Sequence, residues 1–515
     1  MKQPALLNRR LPNQALAWLC VALLLLSLMP LYALSFYNHA CYDDFGFSIR
    51  THAAWRDTGS LLETLRAAAE NTAVIRGTWE GTYTTSFISA LQPALFSENL
   101  YWLSTALLLS FFLFALWFFL RQVLVKTLHT DGPSFWMSLC AVAFVMIQFV
   151  PDLSESFFWF NGGVAYTLMW SLMLVRYGVM VSQARAQKAG ARILLAALLV
   201  LLSALLGGAK YSTVLFSCCA DGLLTLESFA RRRKGRFGRL AAFLVLLGGL
   251  VFSALAPGNA IRAQTLHGGM SAPKAVLQAL YFGVALMGHW FSLPLMVVWA
   301  LVGWKLCEAL RGCSLRFVHP VWITLLSVGL FCAQLVPTLY TGNYLGDGRT
   351  LNTYFYTFVL MSCALTLYWL GWSLRRWDGW ITRFPAIGAS QKGGLRYAAL
   401  LAAAMLLLIG CVAYRPAGSV DYGPQNTATG SALYSLLKGE AARYDAAMDQ
   451  RDAVMNDESQ TDAVLYPVQD IPAAFMGDAT ESDNQRYVKE LYAEYYQKLR
   501  VTIDGEEAAS DAAAN

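Results

Sequence analysis

Residues 14–36 read QALAWLCVALLLLSLMPLYALSF, an apolar run with no charged side chain. A helix of about 20 such residues spans the roughly 30 Å hydrocarbon core of a bilayer. NRR at 8–10 precedes the run and small residues follow it, the outline of a signal peptide. The run is too long for that reading, however, and others like it follow, so it is read as an uncleaved first span. Further runs lie at 101–121, 134–151, 164–182, 193–207, 211–228, 240–256, 284–306, 318–338, 351–373 and 397–414. With 57% hydrophobic and only 14% charged residues among 515, the expected fold is an all-α polytopic membrane protein with about 11 transmembrane helices.

The charges fix an orientation. With the N-terminus in the cytoplasm, the inner stretches are 1–13, 121–133, 183–192, 230–239, 305–317 and 373–396. These hold more than half of the chain's 39 Lys and Arg, including the run RRRKGRFGR at 231–239. The short outer loops hold only Lys210, Arg262, Lys274 and Arg349. Basic residues at span ends resist translocation, so the imbalance predicts a multi-pass protein of the cell membrane with its C-terminus outside the cytoplasm. The net charge of +6 is then a consequence of topology and implies no nucleic-acid partner. The ten cysteines fall almost wholly within or beside spans, with Cys41 outside, so no disulfide framework is expected. Neither the six histidines nor any Cys pair has zinc-ligand spacing.

Two regions stand clear of the apolar runs. A large first outer loop, 37–100, carries YDDFGF at 42–47, the helical pattern LLETLRAAAE at 61–70 and RGTWEGTYTTSF at 76–87. After a membrane domain of 1–414 comes a polar C-terminal domain, 415–515. It reads as a helix over 431–457, a short strand at AVLYPV (463–468), a helix at 484–500 and a disordered tail from 504 to 515.

The polar residues that interrupt the apolar pattern all map to the outer side. Asp43 and Asp44 sit just past the first span, where neighbouring carboxylates repel and one has a raised pKa unless a cation or donor compensates. That suits a general base or a metal ligand; a helix start suits the doublet as well. PDLSESFFWFNGG at 151–163 sets Asp152 and Glu155 among aromatics, and GGAKYS at 207–212 leaves Lys210 as a lone cation between two spans. APGNAIR at 256–262 brings Asn259 and Arg262, and YTGNYLGDGR at 340–349 brings Arg349. Each has a plainer reading: Lys210 snorkelling to the interface, PGN as a turn, and Trp79, Trp159 and Phe160 as an interfacial aromatic belt. GGAKYS lacks the spacing of a phosphate-binding loop, and no G-x-S-x-G, H-E-x-x-H or G-x-G-x-x-G motif is present.

An acidic doublet after the first span, a large first outer loop, about eleven spans and a polar outer C-terminal domain together resemble the GT-C superfamily of membrane glycosyltransferases. More closely, YDDFGFS, WEGTY, FFWFNGG, GGAKYS and PGNAIR resemble an uncharacterised bacterial family of multi-span GT-C-like proteins. The resemblance implies transfer of a sugar from a polyprenyl-phosphate-linked donor to a cell-envelope glycan, lipid or protein at the outer leaflet. It assigns Asp43 and Asp44 to catalysis, with Asp43 as the base. Trp79, Glu80, Asp152, Glu155, Lys210, Asn259, Arg262 and Arg349 are assigned to substrate binding, and Asp44 and Glu155 to a divalent cation if one is used. Membrane lipid is the remaining partner. The alternative is a transporter or flippase for a lipid-linked or polar solute; against it, polar residues collect at one face rather than at the bilayer midplane, and no repeat is visible. A scaffold displaying the C-terminal domain leaves the clustering without a reason.

Overall fold

A computed structural model describes residues 12–265, 269–342, 344–377, 394–411, 427–477 and 485–504. Within them the chain is almost entirely helical, and nine helices are long and apolar enough to cross a membrane. The protein is an all-α polytopic membrane protein. The first span is α1 (Asn13–Ser35). The loop that follows folds into α2 (Asp43–Thr58), α3 (Leu61–Thr78) and α4 (Tyr83–Ser89). Then come α5 (Leu103–Leu120), the shorter apolar α6 (Gly132–Gln148), a four-residue turn α7 (Phe160–Gly163), α8 (Met169–Arg185), α9 (Ala189–Gly207), α10 (Tyr211–Ala230) and α11 (Arg236–Ala254). The remainder of the membrane domain contains α12 (Pro257–Thr265), α13 (Ala272–Trp290), α14 (Leu293–Gly312), α15 (Pro320–Ala333), α16 (Val336–Gly342), α17 (Gly348–Arg376) and the helix Gly394–Cys411.

Apolar side chains alone do not hold such helices together in lipid, where tails are as apolar as leucine; close packing does. Thus α9 and α11 touch through glycine: a Cβ on Gly207 would lie 2.9 Å from the Cα of Gly249. At the centre of the bundle Phe112, Phe157, Trp170 and Tyr356 form a nest of rings with centroids 4.8–5.6 Å apart. The expected span at 284–306 is not one helix. The chain breaks at Phe291–Ser292, where Ser292 accepts from the Leu295 N–H and Pro294 sits in the first turn of α14. A proline there opens a helix but cannot continue the preceding one. Trp290, at the end of α13, packs on Phe355 and Phe358 of α17.

The C-terminal region contains helices Ala428–Leu437 and Glu440–Asn456, strand β1 (Asp462–Leu465), helix Gln485–Tyr496 and strand β2 (Arg500–Ile503). The two strands pair in parallel, Asp462 opposite Arg500 and Leu465 opposite Ile503. The helix expected to run to 500 stops at Tyr496 because Gln497 takes φ +57°, which ends the helix and turns the chain into β2. The expected tail falls outside the described residues beyond 504.

This region is docked on the first loop. Phe45 meets Tyr492 at 4.5 Å, His52 stacks on Tyr495 at 4.0 Å, and a Cβ on Gly46 would be 3.2 Å from Leu491. His39 adds a charge clamp, its Nε2 2.9 Å from Asp445 and its Nδ1 3.3 Å from Asp452. Burial works against the imidazolium, but the two aspartates outweigh it and lift the pKa to about 9. Because the folded value lies above the ordinary 6.5, the clamp is fully formed below that pH and lost as pH rises through about 9. Its contribution is at most about 3 kcal/mol. The unfolding temperature of the purified protein is therefore expected to fall between pH 7 and 10, and that fall to be largely absent in His39→Gln. Equal falls in both proteins would take the clamp out of the account.

Candidate functional site

The acidic doublet opens α2, and the chain enters it through Tyr42 at φ +49°, a left-handed conformation that costs a non-glycine residue energy. The turn sends the two carboxylates different ways. Asp44 is fully buried. Its Oδ1 accepts the Asn161 N–H at 3.0 Å, and its Oδ2 accepts the Cys41 N–H at 3.3 Å and the Tyr101 hydroxyl. The Tyr101 oxygen in turn accepts the Phe160 N–H at 3.1 Å. Burial pushes the Asp44 carboxyl up to about 7, against the pull of those donors. Asp44 therefore ties α2 to the start of α5 and to the second loop, and it has no open face for a substrate. Asp43 is partly exposed. Burial raises its pKa, Arg349, Lys210 and Arg262 pull it down, and Glu80 pushes it up. One carboxylate thus shares the field of three cations and a second acid.

Glu80 is the hub of the first group of ions. It is buried, with Lys210 Nζ at 2.7 and 2.6 Å from its two oxygens, Arg262 Nη1 at 2.9 Å and the Thr82 hydroxyl at 2.6 Å. Burial alone would raise its pKa; Lys210 and Arg262 outweigh that and hold it below the usual carboxylate range. The Arg262 guanidinium also lies 4.7 Å above the ring of half-exposed Trp79. Asn259 locks this corner: its Oδ1 accepts from the Gly81 N–H and the Tyr211 hydroxyl, and its Nδ2 donates to the Ser253 and Ala254 carbonyls. WEG and PGN interlock so closely that a Cβ on Gly258 would stand 2.4 Å from the Trp79 backbone nitrogen. Asn259 is in this way a support of the site rather than an open contact.

Arg349 is the hub of the second. Its backbone N–H and Nη1 each reach Glu155 at 2.5 Å, and Nη2 binds Asp347. The guanidinium lies over Trp159 at 5.3 Å and Tyr166 at 5.9 Å. The chain around Glu155 is wound into two π-helical turns, Ser154–Phe158 and Val164–Leu168, a local underwinding often found at functional sites. Asp152 shapes that loop, accepting from Ser154 Oγ at 2.7 Å and the Glu155 N–H at 2.9 Å, while its backbone is gripped by Asn352 of α17.

Lys210 is thus not lone but bound to Glu80, and cations from segments more than a hundred residues from Asp43 act on it through their charge. The cation reading fits less well. Asp44 is enclosed and already holds three donors, and Glu155 is taken twice by Arg349. Neither belongs to a group of three potential ligands; among the described residues that geometry is met by His39, Asp445 and Asp449, in the C-terminal clamp. These residues do not suit a divalent ion at Asp43.

Sequence reasoning missed Tyr101, Asn161 and Asp347, whose roles come from contacts across the fold, and Tyr487. The last lies in the C-terminal helix Gln485–Tyr496, and its phenol is pushed up to about 12, by burial and by Asp43. It also missed a charged pair inside the spans. Arg176 of α8 and Asp221 of α10 are buried and bonded to each other, with Ser203 2.7 Å from Arg176 Nε, so polar groups do not collect at one face alone. Among the described residues Arg176 Nη1 has no hydrogen-bond partner. An apolar cavity of about 280 Å³, lined by Leu120, Val142, Trp170, Tyr177, Leu306 and Leu367 among others, lies in the bundle away from the charged cluster. Comparison with protein-family models, curated proteins and solved structures finds no match to this chain.

Proposed function

We propose that the protein is a GT-C-type glycosyltransferase that moves a sugar from a polyprenyl-phosphate-linked donor to a cell-envelope acceptor, with Asp43 as general base. The reading carries with it eleven spans, a cytoplasmic N-terminus and a site at the outer face of the cell membrane. The observation that supports it most is the unequal treatment of the doublet: Asp44 is buried and saturated, while Asp43 stays partly open among Arg349, Lys210 and Arg262.

In this mechanism Asp43 takes the proton of the acceptor hydroxyl. The oxygen's electron pair forms the new bond to the anomeric carbon as the bond from that carbon to the phosphate oxygen breaks, and the pair of the broken bond leaves with polyprenyl phosphate. The charge arriving on the phosphate is met by the cations facing Asp43. Lys210 and Arg262 are held in place by Glu80, and Arg349 by Glu155 and Asp347. Half-exposed Trp79 beside Arg262 offers a flat apolar face to a sugar ring.

A transporter is the second reading, favoured by the incompletely bonded Arg176–Asp221 pair within the spans, since intramembrane charges mark solute paths as well as structural pairs. A panel of labelled polyprenyl-phosphate sugars, supplied to membranes containing the chain, separates the two. The transferase moves label to an envelope acceptor and releases polyprenyl phosphate. Lipid-linked sugar that changes leaflet with its phosphate bond intact supports the transporter instead.

A further inference from the structure

At the end of the bundle opposite Asp43, the helices α8, α9 and α11 meet around buried donors that have no acceptor among the described residues. Gln183, in the last turn of α8, is fully buried, and neither its Nε2 nor its Oε1 has a hydrogen-bond partner among the described residues. Arg239, in the first turn of α11, is 7% exposed, and among the described residues its Nε is likewise unpartnered, as is the Nε of Arg236. The nearby acids are already engaged. Glu227 binds Arg231 at 3.0 Å and Arg233 at 2.9 Å, and Asp221 is bonded to Arg176. A buried guanidinium without a matching carboxylate is costly, which makes an outside anion the natural counter-charge.

The backbone supplies a second donor set at the same place. α11 starts after Gly235, at φ +87°, with no side chain capping its first turn. Uncapped N–H groups and the positive end of the helix dipole favour an anion there. The Gln183 amide lies against this turn: a Cβ on Gly238 would be 2.7 Å from Gln183 Nε2, and one on Gly235 would be 3.5 Å from Gln183 Cδ and 3.4 Å from Arg192 Cδ. Both glycines let side chains of α8 and α9 come up close against the first turn of α11. Arg192 and Arg236 are half exposed at the rim, so the place has an entrance.

We infer that the first turn of α11, with Arg239, Gln183, Arg236 and Arg192, is a binding site for a phosphate-type oxyanion at the membrane surface opposite the Asp43 cluster. The oxygens accept from the guanidinium groups, the Gln183 amide and the free N–H groups of the turn. A phospholipid headgroup and free phosphate offer the same chemistry. The site stands apart from the transferase reading and does not depend on it.

The test uses the full-length purified protein in a mild detergent. It is titrated separately with short-chain phosphatidylglycerol, short-chain phosphatidylcholine and inorganic phosphate, and binding is read by native mass spectrometry and by the shift in unfolding temperature. Phosphatidylglycerol is expected to bind and to raise the unfolding temperature, phosphatidylcholine to do neither, and Arg239→Gln to weaken phosphatidylglycerol binding about tenfold or more. Binding of phosphatidylglycerol alone identifies a lipid headgroup; an equal response to inorganic phosphate identifies a free anion, and either supports the site. Gln183→Leu, which removes one donor and no charge, serves if the arginine variant does not fold, and is expected to weaken binding in the same sense. Phosphatidylglycerol binding that survives in both variants, or no response of the parent protein to either anion, overturns the site.

Discussion

Asp43→Asn is expected to lower the rate of sugar transfer about 10²- to 10⁴-fold while leaving binding of the lipid-linked donor much less affected. The substitution keeps the size of the side chain and its capacity to hydrogen-bond, and removes the basic oxygen that accepts the hydroxyl proton in the proposed mechanism. Asp43 is suited to that part because burial raises its pKa above the ordinary carboxylate value while three cations restrain the rise. The catalytic rate of the parent protein should accordingly climb with pH through a value above that of a free aspartate, and the Asn variant should lose that limb. Asp44→Asn serves as the contrast. Its carboxylate receives Tyr101, Asn161 and Cys41, so its replacement disturbs the joint between α2 and the second loop and lowers stability together with rate. Transfer at the parental rate by folded Asp43→Asn protein would remove the residue from the mechanism.

Glu80→Gln is expected to destabilise the protein by about 3 kcal/mol, the lower end of the cost of breaking a buried ion pair. The lower end applies because Lys210 and Arg262 keep part of their hydration, with 21% and 36% of their side chains exposed, whereas Glu80 is 5% exposed. The amide satisfies Thr82 and one cation but leaves the positive charges of Lys210 and Arg262 facing each other without a counter-ion. Turnover should fall as well, since the two cations lose the group that holds them. Low pH imitates the substitution: the Glu80 pKa is depressed in the folded state, so its contribution is present above the ordinary carboxylate value and is lost as pH falls through the depressed one. Thermal unfolding of Glu80→Gln, and of Glu80→Gln combined with Lys210→Met, measures the coupling; the double variant should recover part of the loss. A single variant as stable as the parent would mean that the two cations find their counter-charge elsewhere.

The membrane architecture was legible because hydrocarbon imposes one rule on every span, and runs such as 193–207 and 240–256 obey it with little polar interruption. The break at Phe291–Ser292 was not, since Ser-Leu-Pro within an apolar run reads alike as a kink and as a new helix until packing chooses. The members of the polar cluster were legible by their sidedness. Their partners were not: Glu80 and Lys210 lie 130 positions apart, and nothing local indicates that the cation of GGAKYS meets the acid of WEG. Asp43 and Asp44 look equivalent as letters, and only the turn at Tyr42 makes one a support and leaves the other open. Arg176 and Asp221 escaped notice because each is a single charge diluted in an apolar stretch, which pairing across helices makes tolerable. Tyr487 could not be joined to Asp43 from sequence because over 400 residues intervene.

The most direct measurement is a structure of the protein with a polyprenyl-phosphate sugar bound. The account predicts phosphate oxygens within hydrogen-bonding distance of Arg349, Lys210 or Arg262, and the sugar's anomeric carbon on the side of Asp43 with room for an incoming hydroxyl between them. A donor whose phosphate sits against Arg176 within the spans, with its sugar out of reach of Asp43, would contradict it.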